Sequence, residues 1–215
     1  TGGNNVAVGR EALEANTGDN NTAVGYQAAT NNTTGAHNTF LGRYAGHDNT
    51  TASDNIAVGS VALYYNTTGT ANVAVGRQAL NNNTTASNNT AVGYQSLLSN
   101  TTGTRNTAVG KASIKLNTTG YNNTAVGIDA LGNNSTGSSN TAVGDSSLNN
   151  ITTGISNTAV GTGALVLNIT ANSSTALGWY AGGGAICNNG ANTFIGETAG
   201  YNATSGHNTF IGREA

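Results

Sequence analysis

Residues 87–97 read SNNTAVGYQSL, and close variants of this phrase recur along the entire chain. The glycine that ends each T-A-V-G marks the copies, at Gly9, Gly25, Gly42, Gly59, Gly76, Gly93, Gly110, Gly127, Gly144, Gly161, Gly178, Gly196 and Gly212. Consecutive marks lie 17 residues apart except at three joints, where the spacing is 16 or 18. A short fixed period predicts a solenoid, in which each unit buries its apolar face against its neighbours. We therefore expect one tandem array over residues 1–215, without a second domain or a linker.

Numbered from its first Asn, each copy has 17 columns that read N-T-A-V-G-x-x-A-L-x-x-N-T-T-G-x-x. The β-branched residues before the Gly predict a short strand that ends in a turn, and a second short strand is expected around A-L. Seventeen residues are too few for a strand, a helix and two turns. The sequence thus predicts an all-β parallel β-solenoid with one coil per copy. At ~4.8 Å per rung, thirteen coils would extend over about 60 Å.

Side-chain volumes in the third and ninth columns change together, and this indicates where the core lies. In AHNTFLGRYAG at 36–46, Phe40 replaces the usual Ala and Gly46 replaces the usual Leu. Because volume-conserving exchanges are tolerated while overpacking alone costs ~1–3 kcal/mol, the two columns are expected to face each other inside the coil. The predicted core residues are Ala23, Phe40, Gly46, Leu63, Leu80, Leu97, Phe194, Gly200 and Phe210.

Two coils break this balance between the third and ninth columns. Coil two pairs Ala23 with Ala29, and coil eleven pairs Ala176 with Gly182. We expect Trp179 or Tyr180 to fill the space in coil eleven.

The fourth column is Val, Leu or Ile in every copy. Neighbours along a strand point to opposite faces, so inward third-column residues place the fourth column outside. An apolar stripe of this length is too large for a monomer and predicts a homo-oligomer. In the alternative assignment the Val column points inward and forms the core. The stripe would then be buried within the chain and would no longer indicate a homo-oligomer. The predicted oligomer contacts are Val8, Val24, Val58, Val75, Val92, Val109, Val126, Val143 and Val160.

The motif NTAVG, with the variants NVAVG at 72–76 and NIAVG at 55–59, resembles the S-V-A-I-G repeat of YadA-like head domains of trimeric autotransporter adhesins. NTAVGYQAL-type repeats also resemble arrays in phage and virus tail-fibre proteins. The resemblance implies a left-handed parallel β-roll that associates as a trimer. The N-T-T-G turn makes the present period longer than the typical repeat of that family.

Asn occupies the first column in twelve of thirteen copies, with Ser174 as the exception, and recurs before Thr-Thr. Stacked in register, such side chains can form amide ladders, and they also tolerate the left-handed backbone of turns. Many of them also form N-x-[ST] acceptors, which makes glycosylation a second interpretation. The candidate glycosylation sites are Asn32, Asn49, Asn66, Asn83, Asn100, Asn117 and Asn168.

The composition argues against several kinds of partner. Charged residues make up 7% of the chain, and the formal net charge is −2, so no basic stripe suggests nucleic acid or an anionic membrane. No apolar run reaches the roughly 20 residues of a membrane helix, which predicts no membrane insertion. The single Cys187 cannot form a disulfide within the chain.

No catalytic constellation is evident, and we expect neither an enzyme nor a cofactor. His37 and His207 share one column but lie ten coils apart, while His47 belongs to another column. Around a threefold axis three copies of one His could bind an ion, although a turn role is the simpler interpretation. The scattered acids lack the facing pairs that glycoside hydrolysis requires. Cys187 has no accompanying base and is expected to be a small filler.

The sequence therefore predicts a structural extracellular fibre or adhesin shaft, on a cell surface or a virion, with a glycan or surface receptor as a candidate partner. The alternative is an ice-binding or carbohydrate-binding β-solenoid. A measurement of thermal hysteresis would distinguish an ice-binding protein from a structural fibre. Thr22, Thr39 and Thr90 form a rank, but the residue two positions on is Val or Leu rather than a second Thr. The chain opens and stops within copies without a polar capping unit. This predicts a segment of a longer fibre, which continues either through further repeats or through end-to-end stacking of chains into a polymer.

Overall fold

The computed structural model describes residues 2–184 and 190–215. The chain divides into two compact units, unit 1 (Thr1–Asn106) and unit 2 (Thr107–Ala215). Unit 1 contains β1 (Val6–Val8), β2 (Thr22–Val24), β3 (Thr39–Leu41), β4 (Ile56–Val58), β5 (Val73–Val75) and β6 (Thr90–Val92). Unit 2 contains β7 (Thr107–Val109), β8 (Thr124–Val126), β9 (Thr141–Val143), β10 (Thr158–Val160), β11 (Thr175–Leu177), β12 (Thr193–Ile195) and β13 (Thr209–Ile211). No helix occurs in the described ranges.

Within each unit, consecutive strands pair in parallel and in register, so that one coil lies on the next. In unit 1, Ala57 pairs with Ala74, and in unit 2, Ala125 pairs with Ala142. The pairing joins like columns of successive copies, because the 17-residue period returns the chain to the same place in each coil. Each unit is therefore an all-β parallel β-solenoid with about 17 residues per turn, as the period predicts.

Each coil has one strand, and the expected second strand around A-L is wrong. The seventh and ninth columns have left-handed backbones, for example φ of 60° at Gln78 and 51° at Leu80. A left-handed residue costs roughly 1–2 kcal/mol and cannot continue a strand. Bonding between coils nevertheless continues through this segment, since the N–H of Leu80 donates to the carbonyl of Ser96 at 2.9 Å. The A-L segment is thus an ordered turn that stacks on its neighbours.

The glycine that closes each strand is required by the close approach of the next coil. Gly76 has a φ of 127°, which side chains rarely adopt, and a Cβ there would lie 2.6 Å from the carbonyl oxygen of Gly93. Only glycine combines this conformation with this separation of neighbouring coils. The glycine that marks every copy in the sequence is therefore a stacking requirement.

The apolar core lies between the strand and the A-L turn. Third-column Ala side chains are buried from β2 to β11, and the ninth-column Leu or Ile packs in the same interior. Of the predicted core residues, all are fully buried except Phe210, which is half-buried. The eighth column, always Ala or Ser, is also buried in most coils, for example Ala62 and Ser96. Adjacent columns eight and nine both face inward because the backbone there is not extended.

Phenylalanine side chains span two coils, which explains the coils that break the volume balance. A Cβ at Gly46 or at Gly200 would overlap with the ring of Phe40 or Phe194 of the same coil. A Cβ at Gly182, in the coil before Phe194, would also overlap with the Phe194 ring. The ring is wider than one rung, so the ninth column must be small in the coil before each Phe as well.

The expectation that Trp179 or Tyr180 fills coil eleven is wrong. Trp179 is 54% exposed, and the ring of Tyr180 lies against Gly163 of the preceding coil. The space beside Gly182 belongs to Phe194 of the following coil. The same rule accounts for Ala29, which precedes the coil of Phe40.

We predict that Phe40 and Gly46 are energetically coupled. Phe40→Ala should destabilise unit 1 by about 3–5 kcal/mol, because it leaves a cavity. Gly46→Leu should cost about 1–3 kcal/mol, because the new side chain meets the ring. The double variant should recover at least half of the summed loss, since other coils hold Leu at the same left-handed φ. Chemical denaturation measures the coupling.

The matched control pairs Phe40→Ala with Leu97→Ala, three coils away, whose effects should add. Additive losses for Phe40→Ala and Gly46→Leu would show that the two columns do not share one space.

Candidate functional site

The outer face of the strands forms an apolar stripe in each unit, here called the outer stripe. In unit 1 it comprises Val8, Val24, Leu41, Val58, Val75 and Val92, and in unit 2 Val109, Val126, Val143, Val160, Leu177, Ile195 and Ile211. These side chains are exposed or half-exposed, with 56% exposure at Val8 and 40% at Val126. The third-column residue, which lies between the second column and the outer stripe, is buried in each strand from β2 to β11. It is Ala in all of them except β3, where it is Phe40. The inverted assignment, with the Val column as the core, is therefore wrong.

The second column shares the outward face with the outer stripe. It holds Thr in most coils, and these residues pair in register, as Thr22 does with Thr39 and Thr141 with Thr158. Each outer strand face therefore presents one rank of mostly Thr residues beside one rank of aliphatic residues.

First-column asparagines join neighbouring coils and close their own coil. Asn38 donates from its Nδ2 to the carbonyl of Ala52, 14 residues on, at 2.9 Å. Its backbone N–H donates to Oδ1 of Asn21 in the preceding coil at 3.0 Å, and its Oδ1 accepts from the N–H of Asn55 at 2.9 Å. Each side chain therefore fixes both the circumference of a coil and its register on the next.

Twelfth-column asparagines form a second ladder that meets the first. Asn49 donates from Nδ2 to Oδ1 of Asn32 at 2.7 Å and to the carbonyl of Ala52 at 2.9 Å. That carbonyl also accepts from Asn38, so both ladders converge on the fifteenth column. In unit 2 the carbonyl of Gly137 accepts in the same way from two asparagines. Where successive coils hold Asn in both columns, the polar part of the interior is thus a hydrogen-bonded amide network.

The second ladder is interrupted in unit 2 at Ile151, which replaces Asn and is fully buried. Asn134 precedes it and Asn168 follows it in the same column. Within the described part of the chain, Oδ1 of Asn134 and both polar side-chain atoms of Asn168 are buried without a hydrogen-bond partner. The ladder runs from Nδ2 of one Asn to Oδ1 of the Asn one coil earlier, as from Asn134 to Asn117. Ile151 therefore removes the donor to Oδ1 of Asn134 and the acceptor for Nδ2 of Asn168.

The seven candidate glycosylation sites are wrong, because their side chains lie inside the coils. Asn32, Asn49, Asn66, Asn83, Asn100, Asn117 and Asn168 all have 0% exposure. Nδ2, the atom that would carry the glycan, donates within the fold at most of these positions, for example from Asn83 to Asn66 and Ala86. A glycan there would break the ladder and has no room. The ladder interpretation of the sequence describes these residues correctly.

The histidines lie at the surface. His37 and His207 are exposed, while the half-buried His47 places Nδ1 2.6 Å from Oδ1 of Asp48. Among the described residues no three His, Cys, Asp or Glu side chains are close enough to hold a metal ion. Cys187 lies outside the described residues.

Among the described residues, Glu11 and Tyr64 have pKa values that are shifted by their neighbours. Partial burial raises the pKa of Tyr64, and the carboxylate of Asp48 adds to the effect, so its phenol stays neutral at physiological pH. The amide of Gln27 lowers the pKa of Glu11 by hydrogen bonding, with help from Arg10. Neither group has the geometry of a catalytic pair.

We predict that Asn83→Ala destabilises unit 1 by about 3 kcal/mol. The change removes bonds to Asn66 at 2.7 Å and to Ala86 at 2.9 Å, and it leaves Nδ2 of Asn100 without its 3.0 Å acceptor. Buried groups left without partners cost about 1–3 kcal/mol each. Asn82→Ala is the matched control, because Asn82 is half-exposed, and should cost no more than about 0.5 kcal/mol. Equal losses in urea denaturation would contradict the ladder's role.

The described residues include no helix long and apolar enough to span a bilayer. No family model, curated protein or solved structure matches the chain. The outer stripe and the two amide ladders are thus the features on which a function can be argued.

Proposed function

We propose that this protein is a structural fibre or adhesin shaft that works outside the cell or on a virion, where it attaches to a surface or displays a binding element. The observation that carries the proposal is the outer stripe. Soluble monomers rarely expose contiguous apolar patches of more than a few hundred Å², and this stripe repeats a branched aliphatic side chain in every coil.

A homo-oligomer covers the outer stripe most simply. Strand faces that expose one Val, Leu or Ile per coil can pack against the same face of other copies around a symmetry axis. We propose three copies and a left-handed coil, because the NTAVG repeats resemble the head repeats of trimeric autotransporter adhesins. Backbone hydrogen bonds between coils continue beyond the strands, as from Leu80 to Ser96, and support a stiff shaft, since local opening would have to break them.

An ice-binding role is less well supported. It is favoured by the Thr rank of the second column, which stacks in register. The neighbouring rank on that face is the outer stripe, so a strand offers one hydroxyl rather than two. Thr side chains of the thirteenth column are also engaged, as Thr50 donates its hydroxyl to the carbonyl of Thr67 at 2.9 Å.

We predict that the protein has three times its chain mass of 21.4 kDa in solution. Replacing Val58, Val75 and Val92 by Asp should reduce the mass to that of one chain or make the protein insoluble. The reason is that three buried, unpaired carboxylates would oppose the association. Multi-angle light scattering measures the mass, and far-UV circular dichroism checks the fold.

The matched control replaces Thr68, Thr85 and Thr102 by Asp, which adds the same charges at exposed turn positions of the same coils. Its mass should equal that of the unmodified protein. A monomeric unmodified protein, or an unchanged mass after the three Val substitutions, would refute the proposed assembly.

A further inference from the structure

Unit 1 carries a cluster of aromatic side chains on the turn that follows its strands. The cluster consists of Tyr26, Tyr44, His47, Tyr64 and Tyr65 and is here called the aromatic patch. These residues belong to coils two to four and lie in the sixth to eleventh columns, after the glycine that ends each strand. The patch is therefore separate from the outer stripe, which occupies the strands themselves.

The rings of the aromatic patch form one connected series across three coils. Tyr26 and Tyr44 meet edge to face at 5.3 Å, and Tyr44 meets Tyr64 at 5.9 Å. His47 stacks on Tyr64 at 4.7 Å with an angle of 4°, and Tyr65 adjoins Tyr64 at 4.6 Å. Tyr26 is 37% and Tyr65 49% exposed. The contacts hold the rings in place while part of the surface stays open to a ligand.

Arginines lie beside tyrosine rings in every second coil of this part of unit 1, two of them beside the aromatic patch and one beside Tyr94. Arg10, Arg43 and Arg77 all occupy the sixth column, in coils one, three and five, which places successive backbones roughly 10 Å apart at two rungs. Their guanidinium groups lie near Tyr26, Tyr44 and Tyr94 at 5.9, 4.5 and 5.9 Å from the ring centres. These three residues are here called the arginine row.

Two members of the arginine row keep their charge available. Arg10 pairs with Glu11 at 2.8 Å. Among the described residues, Arg43 and Arg77 form no ion pair, and both are exposed. A guanidinium held beside an aromatic ring can receive a carboxylate or sulfate through two parallel hydrogen bonds.

We propose that the aromatic patch and the arginine row bind an acidic polysaccharide that runs along the coils. The apolar face of a sugar ring can pack on the tyrosine rings, and the sugar hydroxyls can bond to phenols and amides such as Asn31, which already donates to Asp48 at 3.0 Å. The acidic groups of the chain meet Arg43 and Arg77. The separation of these arginines is comparable with the length of two sugar rings in an extended chain.

The charge of the surface favours a sugar chain over a single-stranded nucleic acid. A nucleic acid carries a phosphate on every nucleotide and requires a continuous basic groove. Here Asp48 and Glu11 lie among the aromatic and basic residues, and the arginines occur only in alternate coils. A polymer with widely spaced acidic groups and many hydroxyls fits this arrangement better.

This inference deepens the proposed function, because it identifies what the shaft would attach to, and it rests on that proposal only in requiring that the assembly leaves the turn face open. Binding and assembly are therefore measured separately. The full chain is titrated with hyaluronate, a polymer in which a uronic acid alternates with a neutral amino sugar, by isothermal calorimetry. Its mass is measured by light scattering in the same buffer.

We predict that hyaluronate binds and that Arg43→Gln raises its Kd roughly tenfold, as expected for loss of a charged hydrogen bond. Tyr44→Leu should also weaken binding. Lys111→Gln is the matched control: it removes the same charge from the same column of unit 2, where no described ring contact involves Lys111. Its Kd should change less than about twofold, since an isolated surface charge contributes little.

Absence of hyaluronate binding, or equal effects of Arg43→Gln and Lys111→Gln, would overturn the proposal. Equal affinity for neutral dextran would remove the role of the arginines, and tighter binding of single-stranded DNA would assign the surface to nucleic acid. If Arg43→Gln disturbs the fold by circular dichroism, Arg77→Gln provides the same test two coils away. Binding by a monomer would overturn the proposed assembly but leave this inference in place.

Discussion

Buried asparagine side chains hold the coils of this protein in register. With one three-residue strand per coil, the strands alone join only a small part of each coil to its neighbour. The first-column ladder supplies hydrogen bonds between coils and closes each coil, and the twelfth-column ladder meets it at the carbonyl of the fifteenth column. Because a buried amide requires partners, a coil that lacks the matching Asn leaves polar atoms of its neighbours unpaired, as Ile151 does. The repeat is thus maintained by hydrogen bonding as well as by apolar packing.

Because the buried columns hold the coils together, the exposed columns are less constrained in sequence. The apolar interior needs only small residues and one Leu per coil, apart from the places where a Phe ring extends over two coils and requires Gly or Ala in both. The sixth column, on the outside of the turn, can then vary without disturbing the stack. In unit 1 the same turn column holds Arg10, Tyr26, Arg43 and Ser60 in successive coils. We infer that the strand face serves assembly and the turn face serves recognition.

Much of the fold follows from spacing alone, but the chemistry of individual columns does not. The 17-residue period gives the parallel solenoid, and the exchange between Phe40 and Gly46 places two columns in one space. The sequence of the A-L segment predicts a strand, whereas the structure has a turn there. The left-handed Gln and Leu of this turn are stabilised by hydrogen bonds between coils, which the sequence of one copy does not reveal. The sequence Asn-Thr-Thr fits a glycan acceptor and a buried amide ladder equally well. Only the burial of the Asn side chains in the structure distinguishes the two. The aromatic patch was missed because its rings occupy different columns and meet only when the coils are stacked.

The interruption at Ile151 offers the most direct test of the ladder's role. We predict that Ile151→Asn stabilises unit 2 by about 1–3 kcal/mol, because it gives a donor to Oδ1 of Asn134 and an acceptor to Nδ2 of Asn168. Leu148→Asn, in the apolar ninth column of the same coil, should instead destabilise it by several kcal/mol. Urea denaturation followed by circular dichroism compares the two variants. A loss of stability in Ile151→Asn similar to that in Leu148→Asn would contradict the account, since it would show that the coils are held by apolar burial alone.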